Sequence, residues 1–208
     1  MSKNRKRKLV FGKGWNDADY VTQKFEKVLV DGSEKRRQVW VCPYYLRWRD
    51  ILKRCYHPSL LINRPTYKDT VVCEEWLTFS KFKAWMEKQN WKGNHLDKDL
   101  LGDGKIYSEK TCCFLPPSVN ATLTSQSRES KSGLPTGVCW FEHIGKFGAG
   151  VCNPFTGKRE HLGVFSNAEN AHIAWYKRKT EIVEGIILHC DLSVELQGPI
   201  RNHFKLEI

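Results

Sequence analysis

The stretch HLDKDLLGDGKIYSEKTCCFLPPSVN, residues 95–120, decides the fold that we expect for this chain. It begins with a short apolar strand that carries the carboxylate of Asp97, and a turn-rich loop follows. Residues 112–115 form a second apolar strand, and the next residues predict a helix start that carries Asn120. The pattern therefore predicts a strand–loop–strand–helix frame that brings an acid and an amide together.

Composition limits the class of protein. The chain has 208 residues, of which 40% are hydrophobic, and this is enough for one or two globular domains with a core. No apolar run reaches the length of about 18 residues that suggests a membrane span, and no apolar stretch follows the basic N-terminus. The sequence therefore predicts a cytoplasmic protein without a membrane segment.

The charge of the chain indicates its partner. The formal net charge is +11, the isoelectric point is about 9.3, and 12% of residues are aromatic. A surplus of cations favours a polyanion, because each neutralised phosphate releases condensed counterions. Nucleic acid is the first candidate and a membrane surface the second. A membrane surface requires a basic amphipathic helix, whereas the cations here are scattered over loops and strand edges.

The eight cysteines include no CxxC pair, and Cys112 and Cys113 are adjacent. These spacings argue against disulfides and against a structural zinc site, whose candidate ligands are Cys55, Cys73 and one of Cys112 or Cys113. Because most of the cysteines lie in apolar runs, we expect reduced thiols in the core of a cytosolic protein.

The first 42 residues predict a basic arm and a hairpin. Residues 1–8, MSKNRKRK, carry five cations and have no core to join. In residues 27–42, KVLVDGSEKRRQVWVC, apolar residues alternate on both sides of a turn at Asp31 and Gly32, which indicates a hairpin. Its core-facing candidates are Val28, Val30, Val39 and Val41.

Two helices are predicted next. Residues 44–56, YYLRWRDILKRCY, have apolar residues at helical spacing, namely Leu46, Ile51, Leu52 and Cys55. Residues 71–91 begin as a strand and become a helix from about Ser80, whose apolar face holds Phe79, Phe82, Trp85 and Met86. Aromatic stripes at this spacing are typical of a core, so we expect Trp76, Phe82 and Trp85 to pack the helices onto the central stretch.

The C-terminal half predicts a linker, a sheet and a helix. Residues 124–136 are rich in Ser, Thr and Gly, which is typical of a linker. Three short segments after it predict antiparallel strands, and Ser166 is the predicted N-cap of a helix over 167–184. One face of that helix holds Ala168, Ala171, Ala174 and Trp175. A further strand is predicted at 186–190.

Residues 95–120 resemble the HNH nuclease superfamily, specifically the homing-endonuclease-like proteins of phages. Asp97 falls at the position of the family's acidic metal ligand and Asn120 at its helical ligand, with Phe114 at the aromatic position and Pro116 at the Thr position. Upstream, RWRDILKRCY and VCEEWLTFSKFKAWM resemble the lead-in of such phage proteins. The resemblance spans roughly residues 40–123 and implies a ββα-metal nuclease core with flanking helices.

This resemblance implies one divalent metal ion, Mg²⁺ or Mn²⁺, held by Asp97 and Asn120 beside a phosphodiester. The sequence departs from the family at the catalytic base, because Lys98 stands where the superfamily has a His, and Thr111 replaces the loop Asn that orients it. His95 and Asp99 share a strand face with Asp97 and are alternatives, as are neutral Lys98 and metal-bound hydroxide. The candidate catalytic residues are His95, Asp97, Lys98, Asp99, Thr111 and Asn120.

Two further segments, GVCWFEHIGKFGAGV (137–151) and GKREHLGVFSNAENAHIAWYKRK (157–179), resemble the DNA-binding domain of plant APETALA and ethylene-response proteins. This domain also occurs in phage HNH proteins, and its three-stranded sheet lies in the major groove. The resemblance implies double-stranded DNA as partner, with some contacts to phosphate only. The implied contact residues are Trp140, Glu142, Lys146, Lys158 and Arg159. Strand alternation leaves open whether Trp140 or Phe141 faces outward.

The chain is therefore expected to be an α+β protein: a basic arm and hairpin region (1–42), an HNH-like nuclease domain (43–123), a linker (124–136), an APETALA-type DNA-binding domain (137–184) and a tail (185–208).

The first functional hypothesis is a homing-type DNA endonuclease, in the bacterial cytoplasm if a phage encodes it. One HNH site cuts one strand, so a double-strand break requires a dimer or successive nicks. The second is a DNA-binding protein that has lost the base and regulates or inhibits a host nuclease. The third is an RNA-binding or defence-related protein.

Overall fold

The computed structural model describes residues 8–124 and 133–204, and it shows a mixed α+β protein with small sheets. The predicted arm, except for Lys8, and residues 125–132 of the predicted linker lie outside the described residues. In chain order the elements are β1 (Gln23–Val30), β2 (Ser33–Val41), α1 (Pro43–Tyr56), α2 (Pro58–Asn63), β3 (Val71–Val72), α3 (Phe79–Met86), β4 (His95–Asp97), β5 (Ile106–Tyr107), β6 (Cys113–Leu115), α4 (Pro117–Thr124), β7 (Val138–Phe141), β8 (Lys146–Cys152), β9 (Arg159–Phe165), α5 (Ala168–His189) and α6 (Val194–His203).

The chain divides into two compact units. Unit 1 consists of Met1–Trp91 and Leu101–Phe114, and unit 2 consists of Lys92–Leu100 and Leu115–Ile208. All three points at which the chain passes from one unit to the other lie inside residues 43–123, the segment that the sequence predicts as one domain. Each unit has its own core and is described by itself.

The core of unit 1 is aromatic. Trp48 on α1 is fully buried, and its ring packs against Tyr45 and Phe79 with centroid distances of 5.6 and 5.4 Å. The indole Nε1 of Trp48 donates a 2.6 Å hydrogen bond to the carbonyl of Trp76, so the buried indole N–H is satisfied. The predicted stripes of both helices are confirmed except at Leu46, which is only partly buried. The remaining stripe residues are buried: Ile51, Leu52, Cys55, Phe79, Phe82, Trp85 and Met86.

The predicted hairpin forms, but it lacks a buried face. Asp31 and Gly32 have positive φ angles of 52° and 75°, as a two-residue hairpin turn requires, and β1 pairs antiparallel with β2. Val30 and Val39 are nevertheless 38% and 43% exposed, so the expectation that they face a core is wrong. The physical reason is that the two strands contact mainly each other, and alternation buries a face only where another layer covers it.

In unit 2, the antiparallel sheet β7-β8-β9 packs against α5. Val138, Ala149 and Ala171 form the buried centre of this layer, and Ala171 on α5 is fully buried, which lets the helix approach closely. The N-cap of α5 is Asn167, one residue after the predicted Ser166, because the Asn167 side chain accepts a 2.8 Å hydrogen bond from the backbone N–H of Asn170.

Helix α5 continues to His189, so the strand predicted at 186–190 is wrong. The buried apolar residues at the end of α5, Ile182, Val183, Ile186 and Ile187, repeat with helical and not strand periodicity, while Leu188 lies on the exposed side of the helix. Helix α6 contacts α5. The described part of the tail, up to Phe204, thus contributes to the core of unit 2.

Candidate functional site

The carboxylate of Asp97 is the most constrained candidate group. It ends β4, its residue is only 6% exposed, and its Oδ1 accepts backbone N–H bonds from Asp99 (3.0 Å) and Leu100 (2.8 Å). The Asp97 side chain takes up the backbone N–H groups of the next residues, which would otherwise pair with a neighbouring strand, and β4 therefore ends here. Burial raises the pKa of Asp97 above the ordinary value of a carboxyl and the charge of Asp99 adds to the rise, while the two backbone N–H bonds and Lys98 oppose it.

The residues around Asp97 occupy different environments. His95, at the start of β4, is exposed to solvent, whereas Lys98 is buried and places its Nζ 2.6 Å from Oδ1 of Asp99. The Asp99 side chain is 57% exposed. The sequence predicted that Asp99 shares a strand face with His95 and Asp97. This prediction is wrong, because β4 ends at Asp97 and Asp99 lies in the turn that follows.

Asn120 lies on α4, a short helix that contacts β4 within unit 2. Pro117 begins this helix, where its missing N–H costs nothing, and the backbone N–H of Asn120 bonds to the carbonyl of Pro116 at 3.0 Å. The side-chain oxygen Oδ1 of Asn120 is buried. The structure therefore places the predicted amide on a helix that touches the strand of the predicted acid.

Thr111 belongs to unit 1, whereas the other five catalytic candidates belong to unit 2. Its hydroxyl donates to the carbonyl of Ile106 at 2.7 Å and accepts the backbone N–H of Ser108 at 3.1 Å. These bonds close the turn after β5. The described contacts of the Thr111 hydroxyl thus serve the local turn, and none orients a catalytic base.

The register of the three-stranded sheet decides which aromatic residue of β7 faces α5. Val138 pairs with Ala149 and Trp140 with Phe147, and directly paired residues share a face. Val138 and Ala149 form the core with α5, so Trp140 lies on the helix side, where its ring packs on Phe147 at 4.7 Å. This corrects the expectation that Trp140 lies on the outer face, although its side chain is 48% exposed.

The opposite face of the sheet is open. A Cβ on Gly148 would overlap the ring of Phe141, and a Cβ on Gly150 would come within 2.9 Å of the Arg159 Nε, so these two side chains lie over glycines on the open face. The face forms a shallow pocket of about 440 Å³, lined by Cys139, Phe141, Ala149, Gly150, Arg159, Glu160 and His161.

Only part of the predicted DNA-contact set shares this face. Arg159 does, and exposed Lys146 pairs directly with Phe141, which puts both on the same side. Glu142 instead lies in a 3-10 turn after β7, and Lys158 in the turn before β9. Sequence reasoning missed His161, and it left Phe141 open as the alternative to Trp140. Period-two alternation from Arg159 would have placed His161 on this face.

Glu160 fastens the sheet to α5. Its carboxylate accepts hydrogen bonds from Nε and Nη2 of Arg178 at 2.7 and 3.1 Å, and from Nδ2 of Asn153 at 2.6 Å. The bonds from Arg178, and then the one from Asn153, lower the pKa of Glu160 to about 2. The ionised carboxylate is therefore the form that the fold prefers.

Replacing Glu160 with glutamine should lower the melting temperature at pH 7 by a few degrees. Because the folded-state pKa is depressed, the contribution of Glu160 is present above the ordinary pKa of 4.5 and is lost as the pH falls toward about 2. Thermal melts between pH 7 and pH 2.5 should show the two proteins converging below about pH 4.5. Glu181→Gln, which removes the charge of the carboxylate that accepts a 2.8 Å bond from Nη1 of Arg178, is the matched control and should have a smaller effect. A difference that stays constant over this pH range would contradict the assignment.

No protein-family model matches the chain, and neither a curated protein nor a solved structure matches it. The fold defines a mixed α+β protein. In the ranges 8–124 and 133–204 there is no group of three or more His, Cys, Asp or Glu side chains placed to hold a metal ion, and no helix long and apolar enough to cross a membrane. All eight cysteines are free, and Cys42, Cys55, Cys112 and Cys113 are buried.

Proposed function

We propose that this protein is a DNA endonuclease of the phage homing type that hydrolyses a phosphodiester bond with one divalent cation, Mg²⁺ or Mn²⁺. The observation that carries the proposal is the buried carboxylate of Asp97, fixed by two backbone N–H groups in a strand that α4 contacts. A buried carboxylate with a raised pKa is a candidate for a functional group.

The donor set fits a hard cation. Two N–H groups occupy Oδ1 of Asp97, so we assign Oδ2 to the cation, together with the amide oxygen of Asn120. Two oxygens, one of them anionic, are a typical protein contribution to a Mg²⁺ site that keeps several waters. A bound cation would stabilise the charge that builds on the phosphate and on the leaving oxygen. Asp97 and Asn120 hold it in place.

Among the candidate bases, the structure favours His95. The Nζ of Lys98 lies 2.6 Å from the Asp99 carboxylate, so two of the candidate bases are engaged with each other in an ion pair. The imidazole of His95 is exposed on the strand that ends at Asp97 and is open to a water molecule. We therefore assign proton abstraction from the attacking water to His95.

We assign duplex DNA to the open face of the sheet. Arg159 and Lys146 supply cations there, and Phe141 and His161 supply rings whose centroids lie 6.3 Å apart. Cations bind phosphates without regard to sequence, while side chains that reach base edges add specificity.

Replacing Arg159 with alanine should weaken duplex binding roughly tenfold and reduce the slope of log affinity against log salt by about one, as expected for one lost phosphate contact. Fluorescence anisotropy with a labelled duplex over a range of salt concentrations measures both quantities. Lys158→Ala, one residue away in the turn, is the control and should have a smaller effect. An unchanged affinity and slope for the Arg159 variant would show that this face does not bind DNA.

Cleavage is tested with supercoiled plasmid incubated with the purified protein and Mg²⁺ or Mn²⁺. We expect relaxed circles first, because one site cuts one strand. Plasmid that stays intact with either metal between pH 6 and pH 9 would overturn the nuclease proposal.

The second candidate function is a DNA-binding protein without catalysis that regulates or inhibits a host nuclease. The observation that favours it is Lys98, which stands at the position of the family's base and is ion-paired with Asp99. Intact plasmid together with tight, salt-dependent duplex binding would support this alternative.

A further inference from the structure

A second site lies in unit 1, in the angle between α1 and α2. It is a pocket of about 580 Å³, within the usual range of roughly 300–1,000 Å³ for small-ligand sites. The last two turns of α1, the connecting residue, α2 and the residue after α2 contribute its lining, which consists of Asp50, Lys53, Arg54, His57, Ser59, Leu60, Asn63 and Arg64.

The charge of this lining selects an anion. Lys53, Arg54 and Arg64 bring three cations to the pocket, against the single carboxylate of Asp50. Only one lining residue, Leu60, is aliphatic, so an apolar ligand would meet few apolar groups. A hydrophilic anion is therefore the ligand that the lining complements.

Arg54 is fixed in the wall of the pocket. Its side chain is part-buried, and its Nη1 donates a 3.3 Å hydrogen bond to the phenol oxygen of Tyr107 on β5. A guanidinium has five N–H donors in a planar fork, and the bond to Tyr107 uses one of them. The fork is therefore held in position before any ligand arrives.

His57 adds an observation that is independent of charge. Its ring lines the pocket and packs edge-on against Phe11, with centroids 5.5 Å apart. Its Nδ1 is buried and has no hydrogen-bond partner in the described parts of the chain, 8–124 and 133–204. Buried polar atoms are nearly always hydrogen-bonded. The Nδ1 atom of His57 is an exception, and it belongs to a residue that lines the basic pocket.

We propose that this pocket binds a phosphoryl group, which is supplied by the backbone of a nucleic acid or by a free nucleotide or phosphate. The number of donors distinguishes phosphoryl from carboxylate. Two guanidinium groups and an ammonium, together with the Ser59 hydroxyl and the Asn63 amide, offer more donors than the two oxygens of a carboxylate accept. A terminal phosphoryl group presents three acceptor oxygens, so the donor count favours free phosphate or a nucleotide over a backbone phosphodiester, which has two non-bridging oxygens. Phosphate binding here is independent of the proposed cleavage in unit 2.

The test uses the full chain and isothermal titration with inorganic phosphate. Lys53 and Arg64 are exposed, so the double variant Lys53→Ala/Arg64→Ala should fold. We expect it to bind phosphate at least tenfold more weakly than the unaltered protein. The double variant Lys81→Ala/Lys88→Ala, which removes two exposed cations outside the pocket, is the charge-matched control and should leave phosphate affinity unchanged. No phosphate binding to the unaltered protein, or equal binding to the double variant, would overturn the proposal.

Duplex affinity of the same variants identifies the source of the phosphoryl group. If the pocket holds backbone phosphate, the double variant should also lose duplex affinity and its salt slope should fall by about two. If the pocket holds a free phosphate or nucleotide, phosphate affinity should fall while duplex affinity stays the same. Both readouts are binding measurements, so an inactive nuclease would leave them intact.

Discussion

Replacing Asp97 with asparagine should reduce plasmid nicking by more than about 100-fold while duplex binding stays tight. The variant keeps an oxygen that can accept both backbone N–H bonds of the turn, so the local fold should survive. The substitution removes the negatively charged carboxylate that we assign as a ligand of the cation. Metal ions contribute several kcal/mol to such reactions. Nicking assays at equal protein concentration, together with duplex anisotropy, measure the two effects separately.

The same substitution should raise stability at neutral pH. Burial raises the pKa of Asp97, so the folded protein binds this proton more tightly than the unfolded chain does. The protonated group therefore contributes stability below the ordinary pKa of 3.8, and this contribution is lost as the pH rises through the folded-state pKa. Asparagine stays neutral, so its advantage should be full near pH 7 and should vanish toward pH 3.8.

Asp103→Asn is the matched control for both readouts. The Asp103 carboxylate also accepts a turn N–H, from Lys105 at 3.0 Å, but it is exposed. We expect little change in nicking or stability there. An Asp97→Asn protein that cuts as fast as the unaltered one, or that is less stable at pH 7, would contradict the role given to this buried carboxylate.

The substitution Gly137→Ala should destabilise unit 2 by about 3 kcal/mol or more. Gly137 precedes β7 with a φ of 83°, which strains any residue that has a Cβ. The added Cβ would also overlap the indole of Trp175, which is 5% exposed on α5 and stacks on His172 with ring centroids 5.3 Å apart. Urea denaturation followed by circular dichroism measures the loss.

Gly157→Ala separates the two causes of this effect. Gly157 has a φ of 67°, but a Cβ there would meet no atom within 4 Å. This control should therefore cost about 1 kcal/mol, from backbone strain alone. Equal losses for the two variants would show that contact with Trp175 does not hold the start of β7 in place.

Several local features follow from sequence alone, because neighbouring residues produce them. Apolar residues at helical spacing predicted the buried faces of α1 and α3, and Asp31 with Gly32 predicted the hairpin turn. The small residues of α5 predicted the face that packs on the sheet. Helical period and turn chemistry act over a few residues, so a single sequence contains them.

The candidate site was only partly predictable. Sequence reasoning named Asp97 and Asn120, and the structure puts α4 in contact with β4. Sequence reasoning did not reveal that Lys98 pairs with Asp99, or that β4 stops at Asp97 and leaves Asp99 outside the strand. Those outcomes depend on how the chain bends after the strand, which alternation does not specify.

The sequence by itself determined the hairpin, the helices α1 and α3 and the sheet followed by α5, and it proposed the residues 95–120 as the frame of a metal site. Only the tertiary structure decided that Asp97 is buried, that Trp140 faces α5 while Phe141 lies over Gly148, and that Val30 and Val39 stay exposed. The physical reason is the range of the interactions. Periodicity fixes which residues share a face, but pairing register and the presence of a covering layer decide which face is buried.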